Sequence, residues 1–217
     1  MIEAVVPSLF RTLRLMDEEA VTQALFKGKE YPTGLYWYGA HWNADPARKR
    51  VRGTEVAWTR RMCEMLPEVL GMRCSDQVNY PRPSGKSCDL VIAMEGGLTF
   101  WVEVKPAFKH HWVTKGDLSI YRKHLLALDE AAWSTSGSAA KDVKKLEDLR
   151  APHASYVGFL LVGFDTKAQA MDEEVEQLRR PTGLDKPPWT EAVDQWDDLY
   201  RAGLHDRCWF WWRPSAS

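Results

Sequence analysis

The chain of 217 residues is long enough for one well-buried domain, or at most for two small ones. Hydrophobic residues make up 45% and charged residues 27%, which excludes a disordered or fibrous protein. The formal net charge of -1 excludes a general basic field, so that a nucleic acid would have to be held by local groups. We therefore expect a single domain over residues 1–217.

The N-terminal residues lack a basic start, an apolar stretch and a cleavage site, and no apolar run approaches the roughly 18 residues of a membrane span. We predict a cytoplasmic protein that does not enter a membrane. The four cysteines, Cys63, Cys74, Cys88 and Cys208, have no C-x-x-C spacing. We therefore expect buried free thiols in a reducing compartment.

The first part of the chain is predicted to contain two helices and a strand. A helix is expected in "DEEAVTQALFKG", with Asp17 as its N-cap, and an aromatic-rich loop or short strand, "YPTGLYWYGAHWNADP", follows it. The segment "GTEVAWTRRMCEMLPEVLG" predicts a second helix that is kinked or broken at Pro67 and ends at Gly71. A short strand is predicted at about residues 72–80.

The remainder of the chain is predicted to mix helices and strands. "SCDLVIAMEGGLTFWVEVKPAF" predicts a β-hairpin, and "YVGFLLVGF" predicts a strand covered on both faces. Helices are predicted in "GDLSIYRKHLLALDEAAW", capped by Asp117, in "AAKDVKKLEDLR", in "AQAMDEEVEQLRR" and in "EAVDQWDDLYRAG", before a terminal "CWFWW". This order indicates an α/β domain with a mixed β-sheet flanked by helices.

The loop of the hairpin decides where its acidic residues lie. A two-residue Gly-Gly turn would put Asp89 and Glu103 on opposite faces of the sheet. A three-residue Glu-Gly-Gly loop, with Gly97 in the left-handed conformation, instead pairs Leu90 with Val102 and makes that face wholly apolar. We predict the three-residue loop, which places Asp89 directly opposite Glu103.

Two carboxylates in this position have Cβ atoms about 5 Å apart and repel each other, so a cation should lie between them. With a backbone carbonyl and waters, Asp89 and Glu103 would offer the oxygen ligands that Mg²⁺ prefers. Lys105 projects on the same face, where it could position or help to deprotonate an attacking water, or offset charge on a phosphate. The alternative, to which the spacing gives equal weight, is a surface ion pair between Lys105 and Glu103.

Asp89, thirteen intervening residues and "EVK" at the end of an apolar strand resemble the motif of the PD-(D/E)xK nuclease superfamily. The predicted elements from about Gly53 to Asp165 also follow the core order of that restriction-endonuclease-like fold. The chain departs from the motif where "SCD" replaces Pro-Asp. The resemblance implies a nuclease-like core at about 53–165, an N-terminal helical and aromatic extension at 1–52, and a C-terminal helical and tryptophan-rich extension at 166–217.

Carried over to this sequence, the resemblance makes Asp89 and Glu103 ligands of Mg²⁺ or Mn²⁺ and Lys105 the catalytic lysine. Glu55, in the first turn of the second predicted helix, matches a further metal-ligating glutamate, although an acid there also suits a helix N-terminus. Contacts to the nucleic acid are expected from two clusters, one just after the motif strand and one on the following helix: Lys109, His110 and His111, and Tyr121, Arg122 and Lys123.

The resemblance implies a metal-dependent endo- or exodeoxyribonuclease that hydrolyses DNA phosphodiester bonds, in restriction, repair or mobile-element defence. The alternative is a non-catalytic nucleic-acid-binding or assembly module that keeps the nuclease fold, since the charge is near neutral and the Pro-Asp pair is missing. A third hypothesis is an interaction domain whose tryptophan-rich end docks a partner, although the 11 tryptophans are expected mainly in a core or subunit interface. A homodimer or a larger assembly is compatible with the sequence.

Overall fold

The computed structural model describes residues 2–23, 35, 54–81, 86–108, 138–165, 171–199, 203 and 205–216. Its helices and strands, in chain order, are α1 Ile2–Gln23, α2 Thr54–Leu70, β1 Arg73–Asn79, β2 Ser87–Ala93, β3 Thr99–Phe108, α3 Ala139–Glu147, β4 Tyr156–Asp165, α4 Asp172–Thr182, β5 Thr190–Asp197 and β6 His205–Pro214. No helix in the described ranges is long and apolar enough to cross a lipid bilayer.

The six strands form one mixed sheet in the order β1-β2-β3-β4-β6-β5. Strands β3 and β4 are parallel, whereas the other neighbouring pairs are antiparallel. Helices α1 and α2 cover one face of the sheet, and α3 and α4 cover the other, because the apolar side chains of each helix pair belong to a separate core cluster. The predicted α/β class, with a mixed sheet flanked by helices, is confirmed.

The central strand β4 is buried on both faces. Leu160 packs in the cluster beneath α1 and α2, and Leu161 packs in the cluster beneath α3 and α4. The prediction from "YVGFLLVGF" is therefore confirmed. On the neighbouring strand β6, Trp209 and Trp211 are fully buried, so these two tryptophans form core and not an exposed docking surface.

The hairpin of β2 and β3 has the predicted register. Leu90 pairs with Val102, and the Met94 N–H donates to the Leu98 carbonyl at 2.8 Å around the three-residue turn. Gly97 has a φ of 76°, as the three-residue loop requires. One face of the hairpin thus joins the apolar core beneath α1 and α2.

Substitution of Gly97 by alanine is expected to lower the free energy of unfolding by about 1 kcal/mol, because an L-residue is strained at positive φ. Chemical denaturation monitored by circular dichroism measures the change. Glu95→Ala, at an exposed position of the same turn, is the matched control and should have little effect. Equal stabilities of the two variants would contradict the strain argument.

The prediction of a helix in "EAVDQWDDLYRAG" is wrong, because residues 190–197 form the edge strand β5. Ala192, Asp194 and Trp196 are half-buried, while the residues between them are exposed. This alternation has the period of a strand, and pairing with β6 overrides the helix propensity of the individual residues. The C-terminal extension is therefore not mainly helical, since it supplies two strands of the central sheet.

Helix α1 also differs from the prediction, since it begins at Ile2 and extends to Gln23. Asp17 is therefore not an N-cap but a fully buried residue within the helix. Helix α2 ends before Gly71 as predicted, and the Gly71 N–H donates to the Pro67 carbonyl at 2.7 Å. Pro67 does not break α2, because it lies in the last turn and removes only one backbone donor there.

The four cysteines are free. Cys88 and Cys208 are buried, as predicted, whereas Cys63 and Cys74 are half-buried between α2 and β1. The Sγ atoms of Cys63 and Cys74 lie 3.0 Å apart.

Candidate active site

Asp89 lies where strands β2 and β3 separate. The pairing of these strands runs from Ala93 and Thr99 to Leu90 and Val102. Just beyond this point, the Val104 N–H donates to Asp89 Oδ2 at 2.9 Å. The carboxylate of Asp89 is only 5% exposed and is therefore fixed by the backbone of the neighbouring strand.

Gln77 holds the other oxygen of Asp89. Its Nε2 donates to Asp89 Oδ1 at 3.1 Å, and its Oε1 accepts from the Ser87 hydroxyl at 3.1 Å. Gln77 has a φ of 51° and falls at a gap in the pairing of β1 with β2. A positive φ is uncommon for a residue with a side chain and marks a local distortion of the strand, which here accompanies the contact of the Gln77 amide with Asp89.

Glu103 is almost completely buried beside Asp89. The Tyr80 hydroxyl donates to Glu103 Oε1, and Lys145 Nζ lies 3.3 Å from Glu103 Oε2. Burial and the neighbouring Asp89 raise the pKa of Glu103 well above its ordinary value, although Lys145 opposes this shift. Glu103 is thus close enough to Asp89 for the two buried carboxyl groups to interact electrostatically.

Lys105 binds two acids other than Glu103. Its Nζ lies 2.9 Å from Asp142 Oδ2 and 3.1 Å from Glu55 Oε2, and the residue is 2% exposed. Burial lowers the pKa of Lys105, but Asp142 and Glu55 outweigh burial and raise it above the ordinary value. Lys105 is therefore buried with its protonated form favoured, and it pairs with Asp142 and Glu55 instead of forming a surface ion pair with Glu103.

Helix α3 contributes two residues that the sequence analysis missed. Asp142 and Lys145 are one turn apart, and Lys145 Nζ lies 2.6 Å from Asp142 Oδ1. The buried positions of α3 form an apolar stripe in which Asp142 is the only acid: Ala139, Ala140, Asp142, Val143 and Leu146. An acid at a core position of an amphipathic helix was the sequence signal for this residue.

Glu55 lies in the first turn of α2, as predicted, with a side chain that is 27% exposed. Burial raises its pKa to about 8, with further increases from Asp89 and Asp142 and an opposing effect of Lys105. Glu55 is connected to the rest of the cluster by its ion pair with Lys105. Glu55, Asp89 and Glu103 do not form a group whose oxygens all lie within 4.8 Å of one another, so the predicted set of three ligands is not assembled in this conformation.

The buried cluster has more acidic than basic groups. It contains four carboxyl groups, from Glu55, Asp89, Glu103 and Asp142, and two ammonium groups, from Lys105 and Lys145. Among the described residues, full ionisation of these groups would leave two negative charges in excess. One divalent cation or two protons would balance this charge.

A cavity of about 410 Å³ opens beside Lys145. Its lining is rich in basic groups and includes Tyr80, Lys86, Lys145, Asp148, Arg150 and His153. The predicted nucleic-acid contacts Lys109, His110, His111, Tyr121, Arg122 and Lys123 lie outside the described residues. The basic lining of this cavity is therefore the cationic surface that the described residues place next to the cluster.

Comparison with protein families, with curated proteins and with solved structures finds no match to this chain. The function of the protein is therefore inferred from the chemistry of its buried cluster of four carboxyl groups and two lysines.

Proposed function

We propose that the protein is a metal-dependent nuclease of the PD-(D/E)xK type that hydrolyses DNA phosphodiester bonds with Mg²⁺ or Mn²⁺. The observation that carries the proposal is the burial of Asp89 beside Glu103, within a cluster of four carboxyl groups and two lysines that includes Lys105. A restriction-endonuclease-like fold is part of the same proposal. It is supported by the order of α2, three strands, α3 and β4 around the cluster.

Asp89 and Glu103 are the residues that would hold the ion. When bound, the ion supplies a more acidic water molecule and neutralises charge on the phosphate. Gln77 and the Val104 N–H orient Asp89, and Tyr80 orients Glu103. Because the pKa of Glu103 is raised, loading of the metal would release a proton and would become more favourable as the pH rises.

Lys105 would act as a cation toward the substrate and not as a base. Two acids hold its ammonium group, and its raised pKa favours the protonated form at neutral pH. A fixed positive charge beside the reacting phosphate would stabilise the charge that develops in the transition state. The proposal therefore assigns to Lys105 the second of its two predicted roles, that of offsetting charge on a phosphate.

The cavity beside Lys145 supports a nucleic acid as the substrate. Lys86, Lys145 and Arg150 line it, and Tyr80 joins it directly to Glu103. Guanidinium and ammonium groups are the usual partners of phosphate oxygens in proteins. A polynucleotide strand that crossed this cavity would bring its phosphates past the cluster.

Cleavage assays with supercoiled plasmid, single-stranded DNA and RNA test the proposal. We expect the wild-type protein to cleave DNA with Mg²⁺ or Mn²⁺ but not with EDTA, and we expect Asp89→Asn to lose this activity. Glu95→Gln removes an exposed acid from the hairpin loop and is the control, which should retain activity. Equal residual cleavage by wild type and Asp89→Asn would reject the proposal.

The alternative function is a nucleic-acid-binding module that keeps the fold without cleavage. It is favoured by one observation, the position of Lys145 Nζ between Glu103 and Asp142, where it already neutralises part of the cluster. Calorimetric titration with Mn²⁺, compared between wild type and Asp89→Asn, separates the two functions. Identical titrations of the two proteins, together with DNA binding that survives EDTA, would favour the module.

A further inference from the structure

Three buried aspartates from separate parts of the chain meet at one place. Asp17 lies in α1, Asp198 directly follows β5, and Asp206 is the second residue of β6. Each offers a carboxylate oxygen that lies within 4.8 Å of the other two. Strand β4 lies between β6 and β3, the strand that carries Glu103 and Lys105, so this aspartate cluster is distinct from the candidate active site.

Two of the three acids in the aspartate cluster, Asp17 and Asp206, have carboxylate oxygens that no donor among the described residues contacts. Asp17 and Asp206 are completely buried, and Asp198 is 5% exposed. Both oxygens of Asp206 and Oδ1 of Asp17 have no hydrogen-bond donor, and within the described ranges neither residue pairs with a lysine, arginine or histidine. Asp206 instead lies against Asp198, another acceptor, so the two acids repel each other unless a proton or a cation lies between them.

The other oxygen of Asp17 is well satisfied. Asp17 Oδ2 accepts from Trp196 Nε1 at 3.1 Å and from the Leu199 N–H at 3.4 Å. These bonds fix the carboxyl group and leave Oδ1 free to face the other two acids. The cluster therefore presents inward-directed oxygens on a rigid support, as a metal site requires.

We propose that Asp17, Asp198 and Asp206 bind a hard divalent cation, for which Ca²⁺ is the best match. All three side chains offer oxygen ligands, which Ca²⁺ accepts at about 2.3–2.6 Å, so that two ligands can lie up to about 5 Å apart. The carboxylate oxygens of the three residues lie within 4.8 Å of one another, which is compatible with this span. Mg²⁺ usually keeps several waters in its coordination shell, which suits a buried cluster of protein ligands less well.

The ionisation behaviour of the aspartate cluster agrees with this assignment. Burial and Asp198 raise the pKa of Asp17 to about 7, and burial with Asp198 raises the pKa of Asp206 well above its ordinary value. Protons therefore compete with the cation below neutral pH. A bound cation would add a link between α1 and strands β5 and β6, beside the ion pair of Arg14 with Asp194 and the apolar core that these elements share.

Thermal unfolding and terbium luminescence at pH 8 test the site in the full chain after removal of metals with EDTA and dialysis. We expect Ca²⁺ at a hundredfold excess over its Kd to raise Tm by about 5–10 °C. Tb³⁺, which substitutes for Ca²⁺ at oxygen sites, should show luminescence sensitised by the adjacent Trp196 and should be displaced by Ca²⁺. Asp206→Asn should lose both signals, whereas Asp197→Asn, at a neighbouring exposed acid, should keep them.

Two comparisons separate this site from the candidate active site and from misfolding. Asp89→Asn should retain the Ca²⁺ and Tb³⁺ responses even if nuclease activity is lost, so each proposal can fail without the other. Metal-free Asp206→Asn should be at least as stable as the wild type, because the substitution removes repulsion. Asp198→Asn is a second substitution in the same cluster, and it should lose the same two signals. Absence of both signals in the wild type at millimolar metal would overturn the proposal, as would signals that survive in both Asp206→Asn and Asp198→Asn.

Discussion

For the proposed nuclease, replacement of Lys105 by methionine is expected to lower the rate of metal-dependent DNA cleavage by about 10²- to 10³-fold. The substitution keeps most of the side-chain volume but removes the positive charge that the proposal places beside the reacting phosphate, and removal of one such stabilising group has an effect of this size in other enzymes. Affinity for Mn²⁺ should be unchanged or tighter, because a cation leaves a cluster that already has excess acids. Single-turnover cleavage and calorimetry measure the two quantities.

A loss of stability must be distinguished from this loss of activity. Removal of Lys105 breaks its ion pairs with Glu55 and Asp142 and leaves Asp142 with Lys145 alone. Breaking a buried ion pair costs about 3–5 kcal/mol. Rates should therefore be compared at a temperature at which circular dichroism shows both proteins folded. Lys144→Met, at an exposed position of α3, is the control and should cleave as the wild type does. A folded Lys105→Met protein with wild-type rates would exclude the catalytic role.

The hairpin was predictable because its determinants are local. The alternation of apolar residues in β2 and β3 fixes which side chains share a face, and the glycine-rich loop fixes the register. These two features place Leu90 opposite Val102 without any knowledge of the remaining fold. The sequence therefore sufficed to bring Asp89, Glu103 and Lys105 into one region.

The partners of these three residues were not predictable in the same way. Gln77 and Tyr80 lie on and just after β1, while Asp142 and Lys145 come from α3, some forty residues after the motif. Their contacts depend on the packing of β1 and α3 against β2 and β3. The sequence pattern of a single segment does not predict how that segment packs against others. Asp142, an acid within the apolar stripe of α3, was nevertheless recognisable as an unusual buried residue.

The error at Asp17 has a physical origin. Aspartate followed by two glutamates is typical of a helix N-terminus, where acids are favoured by the helix dipole. Upstream, however, Val5, Leu9 and Leu13 already repeat at helical spacing and are buried on one face of α1. Asp17 lies four residues after Leu13 and therefore falls on the same face of α1. The helical spacing of these residues thus indicates that Asp17 is a buried acid.

The aspartate cluster should make the stability of the metal-free protein fall as the pH rises from about 4 to about 8. The pKa of Asp17 is about 7 in the folded state, against an ordinary value of 3.8. Between these values the folded protein keeps a proton that the unfolded chain has lost, so unfolding becomes easier as the pH increases. Once Asp17 is fully ionised, the shift corresponds to roughly 4 kcal/mol lost from the free energy of unfolding.

Asp17→Asn should remove most of this dependence, because an asparagine does not titrate and its side-chain oxygen can still accept from Trp196 Nε1 and the Leu199 N–H. The quantity to measure is the difference in free energy of unfolding between variant and wild type, by urea denaturation in EDTA at several pH values. This difference should grow in favour of Asp17→Asn above pH 5, since the other titrating groups are common to both proteins. Glu3→Gln removes a negative charge from an exposed position in the first turn of α1 and should leave the profile nearly unchanged. Parallel profiles for wild type and Asp17→Asn would show that Asp17 is not the group that holds the extra proton.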